Sequence, residues 1–269
     1  MTAQLNIRDT LAETFRLMGR RPLYSLGILA LVSAISTGLP YLLPETAAAG
    51  LGIGLTVVSC YAALMVVAYL IADTGFVSMD EGGLMKIAQG KFIGYFLFLI
   101  IYGLALGVAG GIPIGIGMAS IFANPEALAA LEADPEGTLL TYLQDNTATL
   151  LFLGLIAIVL INLISTVWFL VPVIMVGRGQ GLASMGTSSK LIGQQFGRVF
   201  VLSLISILVN AALLILPLWL VLVGQMPDNL INSTLIGIPQ GIGYAFALAL
   251  GVVVWRRLDE ESDASSVFV

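Results

Sequence analysis

The sequence predicts an all-α, polytopic integral membrane protein with six transmembrane helices and with interfacial amphipathic helices on its cytoplasmic side. Composition is the first reason: 58% of the residues are hydrophobic and 10% are charged, whereas a soluble domain has about 45–50% apolar and about 25% charged residues. The second reason is six uncharged runs, each long enough for a helix that crosses the bilayer, which needs about 20 apolar residues. The third is that all basic residues fall on one side of a six-span topology.

The predicted spans are the uncharged runs at residues 24–43, 51–72, 92–124, 147–176, 199–224 and 233–255. The third and fourth exceed one crossing, since a helix rises about 1.5 Å per residue and the hydrocarbon core is about 30 Å thick. Pro113, which follows two glycines, predicts a break at residues 110–113 because proline cannot donate the helical hydrogen bond. Pro172 predicts that residues 173–176 leave the fourth span. The acidic stretch 125–145 predicts one or two short surface helices.

The basic residues predict the orientation of the chain. They are Arg8, Arg16, Arg20, Arg21, Lys86, Lys91, Arg178, Lys190, Arg198, Arg256 and Arg257. Their side of the membrane is expected to be cytoplasmic, which places both termini inside and favours the bacterial inner (cytoplasmic) membrane for this multi-pass protein. Ala47-Ala48-Ala49 resembles a signal-peptide cleavage site, but the preceding run is longer than the usual apolar core of about 7–15 residues. The first span is therefore expected to stay in the mature protein.

Three similar seven-residue segments suggest an internal repeat. Residues 16–22, 86–92 and 190–196 each carry a cation and small or apolar residues, and each precedes an odd-numbered span. Chance similarity in a biased composition is the alternative. The predicted unit is an interfacial helix followed by a transmembrane hairpin, repeated in parallel. The repeats are residues 1–72, 73–176 and 177–257 of a single membrane domain, 1–269, whose acidic cytoplasmic tail is 258–269.

The interfacial helices are predicted from amphipathic spacing. In the first, Ile7, Leu11, Phe15 and Met18 fall on one helical face, and charged residues fall on the others. Such a helix is expected to lie in the headgroup plane. The third, around Leu182, repeats the pattern less clearly.

One segment carries a family resemblance. It reads Val171-Pro-Val-Ile-Met-Val176, then Gly181-Leu-Ala-Ser-Met185, then Ser188-Ser-Lys-Leu191. This segment resembles the YciC-like family of uncharacterised bacterial inner-membrane proteins and, distantly, the membrane domain of some glycerophosphodiester phosphodiesterases. The resemblance implies an all-helical inner-membrane protein and implies no reaction. The sequence departs from the phosphodiesterases because it contains no histidine, and no soluble catalytic domain is expected.

Four glycines in the third span form a small-residue stripe of the glycine-zipper type. They are Gly103, Gly107, Gly111 and Gly115, spaced by four residues. Small residues at this spacing let another helix approach closely. The favoured interpretation is packing on a neighbouring span of the same chain, and the alternative is a seam between copies.

Polar side chains near the middle of the membrane form a second group. They are Asn162, Ser165, Thr166, Asn210 and Gln240. An amide in hydrocarbon needs a hydrogen-bonding partner, so the two asparagines are candidates to bond to each other. Structural cross-linking is the favoured interpretation. The functional alternative is the lining of a substrate cavity.

Eight cations are candidates for contact with anionic lipid headgroups. They are Arg16, Arg20, Arg21, Lys86, Lys91, Arg178, Lys190 and Arg198. The simpler interpretation is that these residues only set the topology.

The composition also excludes classes of function. With no histidine, with Cys60 as the only cysteine, and with no Asp, Glu, Lys or Arg in any predicted span, we expect no catalytic residues, no metal and no cofactor. Low charge density argues against nucleic acid. The leading hypothesis is a non-enzymatic accessory or scaffold that organises membrane lipid, a partner membrane protein or a second copy. The alternative is a transporter or binding protein for a lipid or small amphiphile, and an intramembrane enzyme ranks last.

Overall fold

The computed structural model describes residues 5–42, 45–77, 79–222 and 230–266, and most of these residues are helical. Six stretches are long and apolar enough to cross a membrane: Leu23–Leu42, Gly54–Thr74, Glu81–Ala119, Thr147–Gly177, Phe196–Ile215 and Asn232–Asp259. The predicted all-α polytopic membrane protein is thereby confirmed. The chain divides into two compact units, unit 1 (Met1–Phe98 and Thr166–Val269) and unit 2 (Leu99–Ser165).

The helices follow one another along the chain with short connections. They are α1 (Ile7–Arg20), α2 (Ile28–Gly38), α3 (Glu45–Thr74), α4 (Glu81–Ala123), α5 (Pro125–Ala133), α6 (Pro135–Asp145), α7 (Thr147–Val167), α8 (Val171–Gly177), α9 (Ser184–Gly193), α10 (Phe196–Leu222) and α11 (Leu230–Ser266). A π-helical turn, Leu23–Gly27, leads into α2, and a 3₁₀ turn, Leu39–Leu42, follows it.

Unit 1 is assembled around α11. Helices α1, α2, α3, α8 and α10 all pack against it. Its buried positions include the small or β-branched residues Ala245, Ala249 and Val254 as well as the larger Leu250 and Trp255. Because lipid tails are as apolar as leucine, helices in a bilayer associate through close packing rather than through hydrophobic burial. The small residues of this central helix suit that requirement.

Two glycines of α11 carry the closest of these contacts. Gly237 and Gly241 form a G-x-x-x-G pair, against which the α2 backbone lies. A Cβ atom on Gly241 would collide with the carbonyl of Leu29 and the Cα of Ala30, and one on Gly237 would collide with the carbonyl of Ser33. This contact was not predicted from the sequence, although the spacing of the pair is the recognised signal for close helix approach.

The predicted glycine stripe plays no such part. Gly103, Gly107, Gly111 and Gly115 have no atom within 4 Å of an added Cβ position. In unit 2, α4 packs through its opposite face, where Gly117 approaches Leu150. Packing of this stripe on a neighbouring span therefore stays a prediction.

Helix α4 passes through the predicted break. It is continuous from Glu81 to Ala123 with Pro113 inside it, so the break predicted at residues 110–113 is wrong. Pro113 removes a single hydrogen bond, whereas a break in lipid would leave several backbone groups without partners. The second predicted interfacial helix, around residues 86–92, is part of the same helix. Only the first and third predicted repeats have a separate short helix before their span, α1 and α9.

The fourth span does break at its proline. Helix α7 ends at Val167, and α8 begins at Val171 with Pro172 in its first turn, where the missing N–H costs nothing. Residues 173–176 were predicted to leave the span. They form part of α8, and all four side chains are fully buried. The six-membered ring of Trp255 covers Gly177 at the end of this helix.

The first interfacial helix forms as predicted but buries a different face. The side chain of Asn6 caps it by accepting hydrogen bonds from the backbone N–H groups of Arg8 and Asp9 at 3.0 and 3.4 Å. Its buried residues are Thr10, Thr14, Leu17 and Met18. Of the predicted apolar face only Met18 is buried, and Phe15 is 61% exposed. The predicted face is thus buried against the protein at Met18 and exposed at Phe15.

The acidic stretch after α4 forms two short helices, as predicted. Asn124 caps α5 by accepting from the N–H of Glu126 at 3.0 Å, and Asp134 caps α6 by accepting from the N–H of Gly137 at 3.1 Å. The hydroxyl of Tyr142 donates to the carbonyl of Gly117 and ties α6 to the end of α4. These contacts close unit 2 at this end.

Candidate functional site

Unit 1 contains a cavity of about 410 Å³ at membrane depth, between α2, α3, α10 and α11. Its lining residues are Leu29, Val32, Ser33, Ser36, Thr37, Ser59, Asn210, Leu214, Gln240, Gly241 and Tyr244. Ser33 lies about 15 Å along its helix from Leu23, and Asn210 lies about 21 Å from Phe196, at 1.5 Å per residue. Both helices start at the basic end of unit 1, so the cavity lies near or beyond the middle of a core about 30 Å thick.

Close packing of α2 on α11 builds one wall of the cavity. The glycines at positions 237 and 241 bring the two backbones together. This approach sets Ser33 beside Gln240, and the serine hydroxyl lies 3.5 Å from the amide oxygen, to which it donates. The amide nitrogen of Gln240 donates to no described residue. Gln240 therefore presents two free donor protons within the membrane.

Asn210 is a second amide in the cavity lining. Its amide nitrogen donates to the carbonyls of Ser206 and Gly243 at 2.8 and 3.2 Å. Gly243 has no side chain, and the Asn210 amide occupies the space that a Cβ would take there. Both of these bonds have their acceptors in unit 1. Its Oδ1 atom accepts from no described residue and remains an available acceptor.

Hydroxyl groups complete the polar lining. Ser36 donates to the carbonyl of Val32 at 2.8 Å, and Ser59 donates to that of Leu55 at 2.8 Å. Thr37 donates to the carbonyls of Ser33 and Ala34 at 3.0 and 3.1 Å. Each proton is used by the helix's own backbone, so each oxygen remains an acceptor.

This hydroxyl lining was not predicted from the sequence. The signal was present, since positions 33, 36 and 37 share one helical face.

A pair of tyrosines adjoins the cavity. The hydroxyl of Tyr244, a lining residue, bonds to the hydroxyl of Tyr95. Tyr95 is almost fully buried and stacks on Phe98 at a centroid distance of 5.9 Å. This pair holds the phenol of Tyr244 in place with its polar end satisfied.

The cavity carries no ionised group. Its described lining holds amides, hydroxyls and aliphatic side chains, without Asp, Glu, Lys or Arg. A base or nucleophile activated by a base has no candidate among these residues. The arrangement can bind neutral polar groups through hydrogen bonds, and its aliphatic walls can hold an apolar chain.

The other predicted polar residues lie elsewhere. Asn162 and Ser165 belong to unit 2, where Asn162 is fully buried and the hydroxyl of Ser165 bonds to that of Tyr102 at 2.8 Å. Thr166 is fully buried in unit 1 and is not among the lining residues. Of the five predicted residues, the structure thus brings together Asn210 and Gln240.

Two of the predicted headgroup cations close a salt-bridge cluster at the basic end of unit 1. Arg21 bridges Asp73 and Glu81, both at 3.1 Å. The hydrogen bond to Glu81 and the charge of Asp73 raise the pKa of the Arg21 guanidinium. Arg20 donates to the backbone carbonyl of Asp73 at 2.6 Å. These arginines fasten the end of α1 to the end of α3.

The remaining predicted cations divide into two groups. Arg178 pairs with Asp259, and Arg198 donates to the carbonyl of Leu5 at 3.1 Å. Arg16, Lys86, Lys91 and Lys190 make no ion pair with any described residue, and all but the half-buried Lys91 are exposed. The second group therefore presents the cations that a headgroup can reach.

Compared with protein-family models, with curated proteins and with solved structures, the chain matches none. The segment that resembles the YciC-like family forms α8 and α9, which belong to the buried core of unit 1. The lining of the cavity comes from other helices.

Proposed function

We propose that the protein binds a small polar or amphiphilic molecule inside the membrane and serves its passage across the bilayer. The observation that carries the proposal is the polar cavity at membrane depth with unused hydrogen-bonding atoms on Asn210 and Gln240. This is the second of the two functions considered from the sequence. Geometry favours it over the scaffold, because a scaffold has no need of a polar cavity.

Polar atoms without hydrogen-bonding partners are energetically costly inside the membrane. An amide in a hydrocarbon environment without a hydrogen bond costs on the order of 2–7 kcal/mol. Natural membrane proteins keep polar groups at this depth where they bind one another, line water or meet a ligand. The Oδ1 atom of Asn210 and the Nε2 atom of Gln240 bond to no described residue. A bound polar molecule supplies the missing partners.

Irregular backbone in two of the spans that line the cavity supports a role in passage of the bound molecule across the bilayer. The first span begins with the π-helical turn Leu23–Gly27, and α11 contains Pro239 beside Gln240. Such turns and prolines weaken the regular hydrogen-bond ladder and let a helix bend. These positions are where α2 and α11 can move to open the cavity.

The first test compares co-purified molecules. Wild-type protein reconstituted in nanodiscs of a bacterial polar lipid extract is expected to retain one defined molecule by native mass spectrometry. Asn210→Leu is expected to lower its occupancy at least tenfold, about 1.4 kcal/mol of binding free energy. Asn162→Leu, a buried amide in unit 2, is the matched control and should retain the molecule. Equal retention in all three proteins, or none in the wild type, would refute the proposal.

The membrane and orientation form a separate proposal. We propose the bacterial inner membrane with both termini in the cytoplasm, because the basic residues lie at one end of the spans. Single cysteines replace Ala12 in α1 and Leu128 in α5, in a Cys60→Ala background. A membrane-impermeant maleimide on intact cells should label position 128 alone, and both positions after permeabilisation. Labelling of position 12 alone on intact cells would reverse the orientation.

A second function has its own observation. The exposed glycine stripe of α4 in unit 2 offers a face on which a helix of a partner membrane protein or of a second copy can lie. The accessory function considered first from the sequence is proposed on this face. Anionic membrane lipid is proposed at the exposed cations Arg16, Lys86 and Lys190. Membership of the YciC-like family is proposed on the motif in α8 and α9.

A further inference from the structure

We infer that the molecule bound in the cavity has an electrically neutral headgroup with at least two hydroxyl groups, joined to an apolar chain. This inference rests on the proposed binding function and names the chemical class of the ligand. It follows from the charge, the hydrogen-bond inventory and the shape of the cavity.

Neutrality follows from the lining. The described lining residues carry no ionisable group other than the Tyr244 phenol, whose hydroxyl is bonded to Tyr95. A charged headgroup at this depth would lose its hydration without gaining a counter-ion. The carboxylates and cations of unit 1 that form ion pairs lie instead near the ends of the spans. Gln240 is about 28 Å along α11 from Asp259 at 1.5 Å per residue.

The unused hydrogen-bonding atoms of the cavity lining require a ligand that both donates and accepts hydrogen bonds. Asn210 offers its Oδ1 atom, and the hydroxyl oxygens of Ser36, Thr37 and Ser59 have already used their protons. All four atoms accept. The amide nitrogen of Gln240 donates two protons. The ligand must therefore donate several hydrogen bonds and accept at least one.

A hydroxyl both donates and accepts, so a diol or polyol meets this requirement without charge. An ammonium group donates but accepts nothing, and a fully ionised phosphate accepts but donates nothing. An ester or ether likewise lacks a donor. Asn210 on α10 and Gln240 on α11 line the same cavity, and a headgroup with two hydroxyls is expected to bond to both.

The size and walls of the cavity indicate the apolar part. A volume of about 410 Å³ lies within the range of about 300–1,000 Å³ found for small-molecule sites. It corresponds to about fourteen waters at about 30 Å³ each. Leu29, Val32 and Leu214 line the same space, and they suit the first methylene groups of a chain. A glycerol-type headgroup on a single acyl chain has this combination.

The test uses three probes with chains of equal length and different headgroups. They are 1-monooleoylglycerol, oleoyl lysophosphatidate and oleylamine, titrated into the full chain in nanodiscs and followed by native mass spectrometry. The neutral diol is expected to bind at least tenfold more tightly than either charged probe. Asn210→Leu and Gln240→Leu should each weaken its binding at least tenfold, and Asn162→Leu should leave it unchanged. Gln240 is exposed to the cavity, so its replacement leaves the helix packing intact.

The outcomes separate the ligand class from the binding function. A charged probe that binds more tightly than the diol, and loses binding in Gln240→Leu, overturns the neutral-diol inference and leaves the proposed function standing. If no probe shows binding that depends on Asn210 or Gln240, and no molecule is retained from the lipid extract, the neutral-diol inference and the proposed function are both refuted. Asn210→Asp adds a further check, because its charge should shift the preference towards oleylamine. An unchanged preference in the folded variant would count against the inference.

Discussion

Replacing Gly241 by leucine is expected to destabilise unit 1 by at least about 3 kcal/mol, which lowers the apparent Tm by about 6–12 °C for a chain of this size. The added side chain would start where the carbonyl of Leu29 and the Cα of Ala30 now lie. Backbone atoms cannot move aside as a side-chain tip can. The whole of α2 must separate from α11, and the cavity wall opens with it.

Gly107→Leu is the matched control for this prediction. Gly107 has the same i, i+4 glycine spacing and lies in a transmembrane helix, but nothing approaches its Cβ position within 4 Å. Its Tm should change by less than about 2 °C, corresponding to about 0.5 kcal/mol. Thermal unfolding in one detergent, followed by intrinsic fluorescence, measures both variants. A similar loss in both, or none in Gly241→Leu, would show that α2 does not lie on this pair.

Glu13→Ala is expected to detach α1 from the rest of unit 1. Glu13 forms ion pairs with both Arg256 and Arg257, and its Oε2 atom accepts from the Nη2 of Arg257 at 2.8 Å. The exposed fractions of these side chains are 20%, 26% and 25%. Removing Glu13 leaves two guanidinium groups side by side without their shared carboxylate. We expect a loss of about 2 kcal/mol, less than the 3–5 kcal/mol of a fully buried pair because water screens these groups.

Amide hydrogen exchange measures this effect locally. Residues 7–20 should exchange about thirtyfold faster in Glu13→Ala, which corresponds to about 2 kcal/mol at 1.4 kcal/mol per tenfold change. Asp9→Ala is the control on the same helix, since Asp9 is exposed and forms no ion pair with a described residue. Unchanged protection of residues 7–20 in Glu13→Ala would mean that the Thr10–Thr14 face holds α1 without the ion pairs.

Much of the fold and part of the site could be predicted from sequence. Each span needs its own long apolar run, and lipid tolerates few alternatives to a helix, so composition and length predicted all six spans. Asn210 and Gln240 stood out for the same reason, because a polar residue in an apolar run is visible without any neighbour. The short helices α5 and α6 were likewise predicted by local sequence.

Only the tertiary structure determined which face of each helix packs against another helix. Two glycine patterns have the same spacing, but Gly237 and Gly241 meet the backbone of α2, while no atom lies within 4 Å of an added Cβ in the stripe around Gly107. Pro113 stays inside α4 and Pro172 starts a new helix, although both are prolines near the end of a long apolar run. The serines at positions 33 and 36 became a cavity lining only when α2 approached α11. Local propensity and hydropathy are properties of one segment, whereas packing and cavity formation depend on the surfaces of two.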